Sequence, residues 1–521
     1  FNIKSKKQSR VDIPQFKYSL SDQNVYSIAR DKENSIWIGT YFGGVNYLNT
    51  SLLQIETFYS DIIRGFLSGK AVSQITEDSK GNMWIATEDG GINFDLENGT
   101  ISQPIKTSYH NTHALLLDQN KLWIGTFSRG LDVYDLNSKT LLNFRHQASN
   151  KNSINDDCIF SLYKSKAGKI YVGTPAGLSI FNPEKNVFDR IEGIHEFIYD
   201  IKEDSDGNIW LASYEAGPIK FDQKTKKWIH YSKIRPNEPI SSSKLTSIYI
   251  DSQNRLIFSS EGKGIFIYQK ENDSFINISQ KNGLPNNVIY GVLDDPEGNL
   301  WLSSNKGIIH FHPDRPAEYE LYTVNNGLQS NQFNFKSSFK SRDGKFYFGG
   351  INGFSSFYPQ TFQKAKNKTQ PNVAFTGLQL LNNSSSEFDQ EIQEKINTGQ
   401  LIQLQYNQSS FSISFVSLSF LSPSENQYAY MLVGADENWT AAGNRQSVSY
   451  VNLPYGNSLQ YLSINIEKNK EYFAKIFIYS DTTNYKKNLS RTDLKTINEN
   501  GYDIYHGIIE SKNKVPIKIV D

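Results

Sequence analysis

The chain has 521 residues, enough for two or more domains, and its charge is balanced, with 54 Lys and Arg against 54 Asp and Glu. A neutral chain lacks the basic face of a nucleic-acid binder, so we expect no direct contact with nucleic acid. Cys158 is the single cysteine, which excludes an intrachain disulfide framework and a cysteine-based zinc cluster. No run of about 18 apolar residues marks a membrane span. The aromatic content of 13% favours β structure.

Residues 1–17 are polar and predict a lead-in segment, and a repeat begins at Tyr18. Its clearest copy is Asp204–Ser213, with the sequence DSDGNIWLAS, which predicts a tight turn followed by a strand that buries Trp210. Eight copies follow one another, and their anchors lie 39 to 48 residues apart, at Trp37, Trp84, Trp123, Tyr171, Trp210, Ile257, Trp301 and Tyr347. A period of this size indicates a repeat architecture.

Every unit has the same order of elements. A short apolar strand and a turn rich in Asp, Gly or Asn precede the anchor strand, and a loop ending in Gly, an alternating third strand and a variable fourth strand follow it. Four antiparallel strands per unit predict a β-propeller blade, with the anchor ring in the wedge between neighbouring blades. The count alone favours eight blades. Seven blades, with one unit split or belonging to a neighbouring propeller, fit the pattern as well.

The predicted propeller covers residues 18–365, and the period breaks over 358–371, which we interpret as a linker. Residues 366–457 predict a small β-sandwich, because several segments alternate apolar and polar residues between turn signals. Asn382–Gln400 is a polar excursion between those strands, and residues 458–521 form a tail that the pattern does not assign. The predicted fold class is therefore all-β: a propeller of seven or eight blades followed by a C-terminal β-sandwich.

Several stretches resemble one known repeat and one known domain. Ile36–Tyr47 (IWIGTYFGGVNY) and Lys345–Phe354 (KFYFGGINGF) resemble the two-component regulator propeller repeat. Tyr428–Trp439, followed by Tyr450–Gly456, resembles the triple-tyrosine (Y_Y_Y) domain. In this order the two resemble the periplasmic sensor half of hybrid two-component systems of glycan-degrading gut bacteria.

That resemblance implies seven-bladed propellers, and it shifts our preference from eight blades to seven. The family carries two propellers in succession, whereas the repeats of this chain suffice for one. In the family a membrane helix and a kinase follow the sandwich, so we expect this chain to be a piece of a longer protein.

The repeated Asp-x-x-Gly-Asn turns resemble calcium loops and sialidase Asp-boxes only loosely, and we interpret them as structural turns. His110 and His113 are the one pair of histidines with metal-ligand spacing, but no third ligand is evident, so we expect no metal site. No nucleophile-elbow or phosphate-loop motif is present, and we expect no cofactor.

What remains is a binding surface on the loops at one face of the propeller. In a four-stranded blade, the loop before the first strand and the loop between the second and third strands share a face. Aromatic, charged and amide side chains on these loops suit a sugar. The candidate ligand-binding residues are Arg129, Tyr41, Phe42, Phe127, Tyr214, Glu215, His110, His113, Asp156, Asn305 and Lys306. Arg129 is the first choice, because its guanidinium can reach hydroxyl, carboxylate or sulfate groups.

The resemblance implies the periplasmic portion of an inner-membrane sensor histidine kinase. It would bind an oligosaccharide, form a homodimer, remain membrane-anchored in the full-length protein and control polysaccharide utilisation. This region is then expected to be non-catalytic. The alternatives are a propeller enzyme, such as a polysaccharide lyase or a glycosidase, and a protein-binding propeller scaffold.

Overall fold

The computed structural model describes most of the chain between residues 20 and 451. Its ranges are 20–31, 35–48, 55–60, 67–95, 105–364, 373–381, 386–398, 402–405, 408, 410–418, 420, 426–433, 436, 438–451, 460–467, 474–479 and 517–520. The predicted lead-in segment, 1–17, lies outside these residues, as do most of the linker and most of the tail.

The chain divides into two compact units. One, here called the sandwich unit, comprises Phe1–Asn49 and Asn367–Asp521. The other, the propeller unit, comprises Thr50–Lys366. The propeller was expected to begin at residue 18, whereas the compact unit that holds the ring begins at Thr50.

The first repeat lies in the sandwich unit and forms a three-stranded antiparallel sheet. Its strands are β1 (Val25–Arg30), β2 (Ile36–Thr40) and β3 (Gly44–Leu48). Trp37 is half-buried on β2, and its ring packs edge-on against Phe420 at 5.0 Å.

The propeller unit is built from short antiparallel sheets in chain order. Its strands are β4 (Glu56–Phe58), β5 (Val72–Glu77), β6 (Met83–Thr87), β7 (Gly91–Asp95), β8 (Thr112–Asp118), β9 (Lys121–Thr126), β10 (Leu131–Asp135), β11 (Leu141–Phe144), β12 (Ser161–Lys164), β13 (Ile170–Thr174), β14 (Gly177–Asn182), β15 (Val187–Arg190), β16 (Ile198–Glu203), β17 (Ile209–Ser213), β18 (Gly217–Asp222), β19 (Lys227–His230), β20 (Leu245–Ile250), β21 (Leu256–Ser260), β22 (Ile265–Gln269), β23 (Ser274–Ile278), β24 (Ile289–Asp294), β25 (Leu300–Ser304), β26 (Ile308–Phe311), β27 (Tyr319–Tyr322), β28 (Phe333–Lys340), β29 (Phe346–Gly350) and β30 (Gly353–Phe357). Two short helices are α1 (Tyr231–Ile234) and α2 (Pro359–Lys364).

The sheets close into a ring. Strand β4 pairs with β30, so a strand from the beginning of the unit completes the sheet at its end. The first strands of successive sheets contact one another in the cycle β5, β8, β12, β16, β20, β24, β28 and back to β5. This is the closed, edge-protecting arrangement of a propeller.

Four of the five anchor tryptophans fill the wedges between sheets, as predicted, whereas the expected burial of Trp37 is wrong, because Trp37 is only half-buried. Trp84, Trp123, Trp210 and Trp301 are all buried at equivalent strand positions. The Trp210 ring lies 5.8 Å from Phe258 of the next sheet and is stacked on Tyr231. Large aromatic side chains of this kind supply much of the burial that holds neighbouring sheets together.

The Asp-x-x-Gly-Asn motif is a structural turn, as we interpreted it. Asp204 accepts hydrogen bonds from the backbone N–H groups of Asp206 and Asn208 at 2.9 Å. Its second oxygen accepts from the Asn208 amide and from the indole N–H of Trp210, both at 2.8 Å. One carboxylate therefore fixes both the hairpin and the buried ring. Asp295 holds Asn299 and Trp301 in the same way.

The second part of the sandwich unit forms two sheets and one helix. Its elements are β31 (Val373–Leu380), α3 (Ser386–Thr398), β32 (Ile402–Gln405), β33 (Phe411–Ser417), β34 (Gln427–Val433), β35 (Thr440–Gly443), β36 (Ser447–Tyr450), β37 (Gln460–Glu467), β38 (Ala474–Tyr479) and β39 (Ile517–Val520). The sheet orders are β31–β33–β36 and β32–β39–β38–β37–β34–β35. Phe411, Phe415, Tyr428 and Leu432 lie in their common core.

Two features here differ from the sequence expectation. The polar excursion contains helix α3, whose Ile392 and Ile396, four residues apart, are buried in the core of this unit. The unassigned tail supplies β37, β38 and β39, three strands of the six-stranded sheet. Within the core, the Tyr450 hydroxyl donates to Asp436 at 2.8 Å, and the Tyr428 hydroxyl accepts from the Ser417 N–H at 3.1 Å.

Candidate functional site

A β-bulge recurs at the beginning of the first strand in most sheets of the ring. The pairing register shifts between Val72 and Gln74, Thr112 and Ala114, Ile198 and Asp200, Leu245 and Ser247, and Ile289 and Gly291. A bulge leaves one residue unpaired and changes the direction in which its side chain points. The unpaired residues are Ser73, His113, Tyr199, Thr246 and Tyr290. Three of them, Ser73, His113 and Tyr199, come from different sheets yet line one pocket.

Strand β28 carries a larger irregularity. Phe333 pairs with Gly350 and Ser338 with Phe348, so the four residues 334–337 stand opposite a single residue. Lys336 adopts a φ of +54°, a conformation that costs free energy for a residue other than glycine. The extra residues contact sheets that are not adjacent in the ring: the Phe335 ring lies 5.5 Å from Tyr199, and the Lys336 ammonium donates to the Phe160 carbonyl.

The two sets of loops lie on one face, as predicted. In each case the first residue of the turn between the second and third strands donates its backbone N–H. The acceptor is the backbone carbonyl of the residue just before the first strand. These bonds are Phe127 to Asn111 (3.0 Å), Tyr214 to Phe197 (3.0 Å), Glu88 to Ala71 (2.8 Å) and Glu261 to Lys244 (2.9 Å). The turns are therefore held at the end of the ring where the bulges occur.

Aromatic rings from several sheets form a continuous cluster at this end, here called the aromatic face. Its members are His113, Phe127, Phe160, Phe197, Tyr199, Tyr214, Tyr290 and Phe335. His113 packs on Phe127 at 5.4 Å and on Phe160 at 4.8 Å. Phe160 continues to Phe197 at 4.6 Å and to Tyr199 at 5.3 Å. Phe127 is 42% exposed, so the cluster reaches solvent.

Polar groups are fixed among these rings. The Tyr214 hydroxyl donates to the Glu261 carboxylate at 2.5 Å, which raises the pKa of Tyr214 to about 12. The Asn334 amide donates to Glu88 at 2.7 Å, and burial raises the pKa of the Glu88 carboxyl. Hydrogen-bonded amides and carboxylates beside aromatic rings are the few convergent polar groups that a binding pocket requires.

The basic groups are poorly solvated at the centre of the face. Burial, together with the nearby charge of Lys336, lowers the pKa of His113 to about 4. Burial also lowers the pKa of Lys336 to about 8, while Asp200 opposes that change and Lys202 reinforces it. Lys336 as a whole residue is half-buried. His113 is therefore neutral at pH 7.

The structure brings together three of the residues proposed from the sequence: His113, Phe127 and Tyr214 all belong to the aromatic face. Arg129 and Glu215 are exposed in the same two turns, and the Arg129 N–H donates to the Thr126 hydroxyl at 3.0 Å.

The other proposed residues lie farther along the loops. His110 is exposed and packs on Tyr109 at 4.8 Å, and Asp156 accepts from the Cys158 N–H at 2.8 Å. Asn305 is hydrogen-bonded to Asn286, and Lys306 is exposed beside it. Tyr41 and Phe42 occupy the turn between β2 and β3 and belong to the sandwich unit.

Sequence reasoning missed the residues at the centre of the face: Glu88, Phe160, Tyr199, Asn334, Phe335 and Lys336. A signal was nevertheless present. Counting back eleven residues from the anchors Tyr171, Trp210, Trp301 and Tyr347 reaches Phe160, Tyr199, Tyr290 and Lys336. Aligning the repeats on their anchors would have singled out this position.

Within the described part of the chain, no set of three or more His, Cys, Asp and Glu side chains is arranged to hold a metal ion. Over the same residues, no helix combines the length and apolar character needed to cross a membrane.

The family comparisons identify both kinds of module. The model "Two component regulator propeller" matches residues 19–42, 67–89, 192–215 and 283–306, and the model "Y_Y_Y domain" matches 419–457. The chain thus carries two component regulator propeller repeats followed by a Y_Y_Y domain.

Among individual proteins, the chain is 28% identical over 451 residues to Histidine kinase P4 of Formosa agariphila, covering 84% of this chain and 30% of that protein. Among solved structures it resembles the extracellular domain of hybrid two component system BT3049 from B. thetaiotaomicron, with a TM-score of 0.77, 25% identity, and 89% of this chain and 63% of that chain covered.

The extracellular domain of hybrid two component system BT4673 from B. thetaiotaomicron shares the fold, with a TM-score of 0.50 and 19% identity over 90% of this chain and 65% of that one. The chain spans less than two thirds of each of these relatives.

Proposed function

We propose that this chain is the extracytoplasmic, periplasmic sensing region of a hybrid two-component system histidine kinase, and that it binds an oligosaccharide to control polysaccharide utilisation. The similarity to the extracellular domain of a hybrid two component system and to a histidine kinase supports the sensor role. The ligand is inferred from the chemistry of the aromatic face.

The observation that carries this proposal is the aromatic face itself. Rings present flat apolar surfaces on which the apolar face of a sugar stacks, and the hydrogen-bonded groups Glu88, Asn334 and Glu261 lie within reach of hydroxyls. Exposed turn residues such as Arg129 and Glu215 would then contact sugar units at the rim. A rigid ring of sheets presenting functional loops is a frequent arrangement for binding sites.

In this proposal the ligand acts by shifting the equilibrium between two arrangements of the receptor. It must bind one arrangement of the receptor, which we take to be a membrane-anchored homodimer, more tightly than another. The Y_Y_Y domain would pass that difference towards the membrane. Its tyrosines Tyr428 and Tyr450 are hydrogen-bonded inside a packed core, as a rigid coupling element requires.

The test is calorimetry of the purified chain with a panel of neutral and acidic oligosaccharides, followed by Phe127→Ala. We expect the substitution to weaken binding about 5- to 100-fold, since a stacked aromatic contributes about 1–3 kcal/mol. Leu142→Ala is the matched control, because Leu142 is half-exposed on β11, the outer strand of the same sheet.

Equal affinities in the parent and in Phe127→Ala would remove the aromatic face from the site. Loss of binding in Leu142→Ala as well would show that the first effect was structural. A sugar product released by the purified protein would favour the enzyme alternative.

A further inference from the structure

Lys336 occupies an unusual place in the ring. It lies in the irregular segment of β28, with a positive φ, and its side chain crosses to the carbonyl of Phe160 just before β12. Strands β28 and β12 are separated in the ring by β5 and β8 on one side and by β24, β20 and β16 on the other. The ammonium therefore extends towards the middle of the ring, and Lys336 lines the same pocket as His113, Tyr199 and Phe335.

Among the described residues, no ion pair includes Lys336. Asp200, whose charge raises the pKa of Lys336, and Glu88, which lines the same pocket, are both hydrogen-bonded to other groups. Asp200 accepts from the N–H groups of Ile201 and Ile248 at 2.9 and 2.8 Å, and Glu88 accepts from the Asn334 amide. The ammonium of this half-buried lysine donates to the neutral Phe160 carbonyl, and an anionic partner would form a stronger, charge-assisted hydrogen bond with it.

We infer that Lys336 forms a subsite for an anionic carboxylate or sulfate group at the floor of the aromatic face. The inference rests on the proposed function and narrows its ligand to an acidic oligosaccharide. The anion would replace the Phe160 carbonyl as the partner of the ammonium, while the sugar ring stacks among the surrounding aromatic side chains.

The titratable groups around Lys336 set the pH range of this site. They are His113 on β8, Glu88 in the turn after β6, and Tyr199, Asp200 and Lys202 on β16. His113 is neutral above pH 6, because its pKa is about 4. The Lys336 ammonium, with a pKa of about 8, is half deprotonated at that pH, so anion affinity falls as the pH rises through about 8. An arginine site would show no such fall, since guanidinium stays charged.

The test compares trigalacturonate with its methyl ester, which presents the same rings without the charge. Calorimetry is run on the parent, on Lys336→Met and on Lys227→Met, a control that removes an exposed charge from outer strand β19. We expect the parent to bind the acid about 10- to 100-fold more tightly than the ester, the contribution of one charge-assisted hydrogen bond. Lys336→Met should abolish that preference, and Lys227→Met should keep it.

A second measurement uses inorganic sulfate on the parent protein, so it needs neither a sugar nor a folded variant. NMR follows the pH titration of the lysine side chains, with chloride at equal ionic strength as the reference. Sulfate should raise the pKa of one lysine that titrates near pH 8 and leave the other lysines unchanged. No change in that lysine refutes the subsite, whether or not any oligosaccharide binds.

Equal binding of the acid and the ester also refutes the subsite, but it leaves the oligosaccharide proposal intact. An acid preference that persists unchanged to pH 10 would assign the charge to an arginine instead.

Discussion

The sheet β1–β3 and the sheets of the ring follow the same sequence pattern but differ in burial. Ile28 on β1 is 68% exposed, whereas Ile201, at the same register position on β16, is 1% exposed. Val45 on β3 is 69% exposed, and its counterpart Leu131 is 0% exposed. The same repeat forms its hairpins in both units, and among the described residues its apolar faces are more fully buried in the ring.

This comparison explains why the anchor tryptophans are expected to contribute unequally to the free energy of unfolding. Trp37 and Trp210 both donate an indole N–H to the aspartate of their turn, at 2.9 and 2.8 Å. Trp210 is completely buried between two sheets, whereas Trp37 is half-buried. The turn is a local property of the motif, and the burial is a property of the ring.

The largest expected effect is the difference between two tryptophan substitutions. Trp210→Ala should lower the free energy of unfolding by about 3–5 kcal/mol, because it empties a core position. Trp37→Ala should cost about 1–2 kcal/mol, in proportion to its smaller buried area. Urea denaturation of each variant measures both values. Equal losses would mean that β1–β3 is covered in solution as fully as the ring sheets.

The aspartate of the turn should give the next largest effect. Asp204→Ala removes the acceptor for Asp206, Asn208 and Trp210, and we expect a loss of about 2–4 kcal/mol. Asp31→Ala, in the sheet β1–β3, removes acceptors for Ser35 and Trp37 and should cost less. Thermal unfolding of the two variants ranks them. A larger loss for Asp31→Ala would contradict the difference between the two regions.

Acid should destabilise the ring through His113. Its folded-state pKa of about 4 lies below the unfolded value of 6.5, so the unfolded chain binds the proton first. Stability contributed by neutral His113 is complete above pH 6.5 and is lost as the pH falls towards 4. The loss should amount to about 3 kcal/mol. Measuring the free energy of unfolding of the parent and of His113→Gln between pH 4 and pH 7 isolates this contribution. The same pH dependence in both proteins would contradict the buried position of the imidazole.

The smallest expected effect belongs to the exposed face of β1. Ile28→Thr should change the free energy of unfolding by less than about 0.5 kcal/mol. Its matched partner, Ile201→Thr, places a hydroxyl in the core and should cost about 2–4 kcal/mol. Chemical denaturation at two protein concentrations checks this. A concentration-dependent loss in Ile28→Thr would show that β1 is covered by a second copy of the chain.

Much of the fold follows from local chemistry and could be predicted. The spacing of the anchors and the Asp-x-x-Gly-Asn turns predicted the repeated hairpins and the burial of Trp84, Trp123, Trp210 and Trp301. Helix α3 was missed because its polar sequence carries few apolar positions beyond Ile392 and Ile396. Of the tail strands, β39 was missed because it pairs with β32 and β38, from which it is remote in sequence.

The candidate site was only partly predictable for a related reason. His113, Phe127 and Tyr214 stand in loops that the repeat places on one face, so their proximity followed from the pattern. Phe335 and Lys336 reach the same place because β28 contains extra residues opposite β29. Only the pairing of these two strands in the structure shows this. Counting back from the anchors reaches position 336, but it does not reveal that extra residues in β28 carry the side chain across the ring.

The most direct test of the binding face is hydrogen exchange with and without the tightest oligosaccharide found by calorimetry. The bound sugar should slow exchange of the amides in 111–113, 127–130, 197–199, 214–217 and 333–336, which come together only in the folded ring. The amides of β1–β3 serve as the internal comparison. Slower exchange confined to β1–β3 or to the Y_Y_Y domain, with 127–130 and 333–336 unchanged, would contradict a ligand site on the aromatic face.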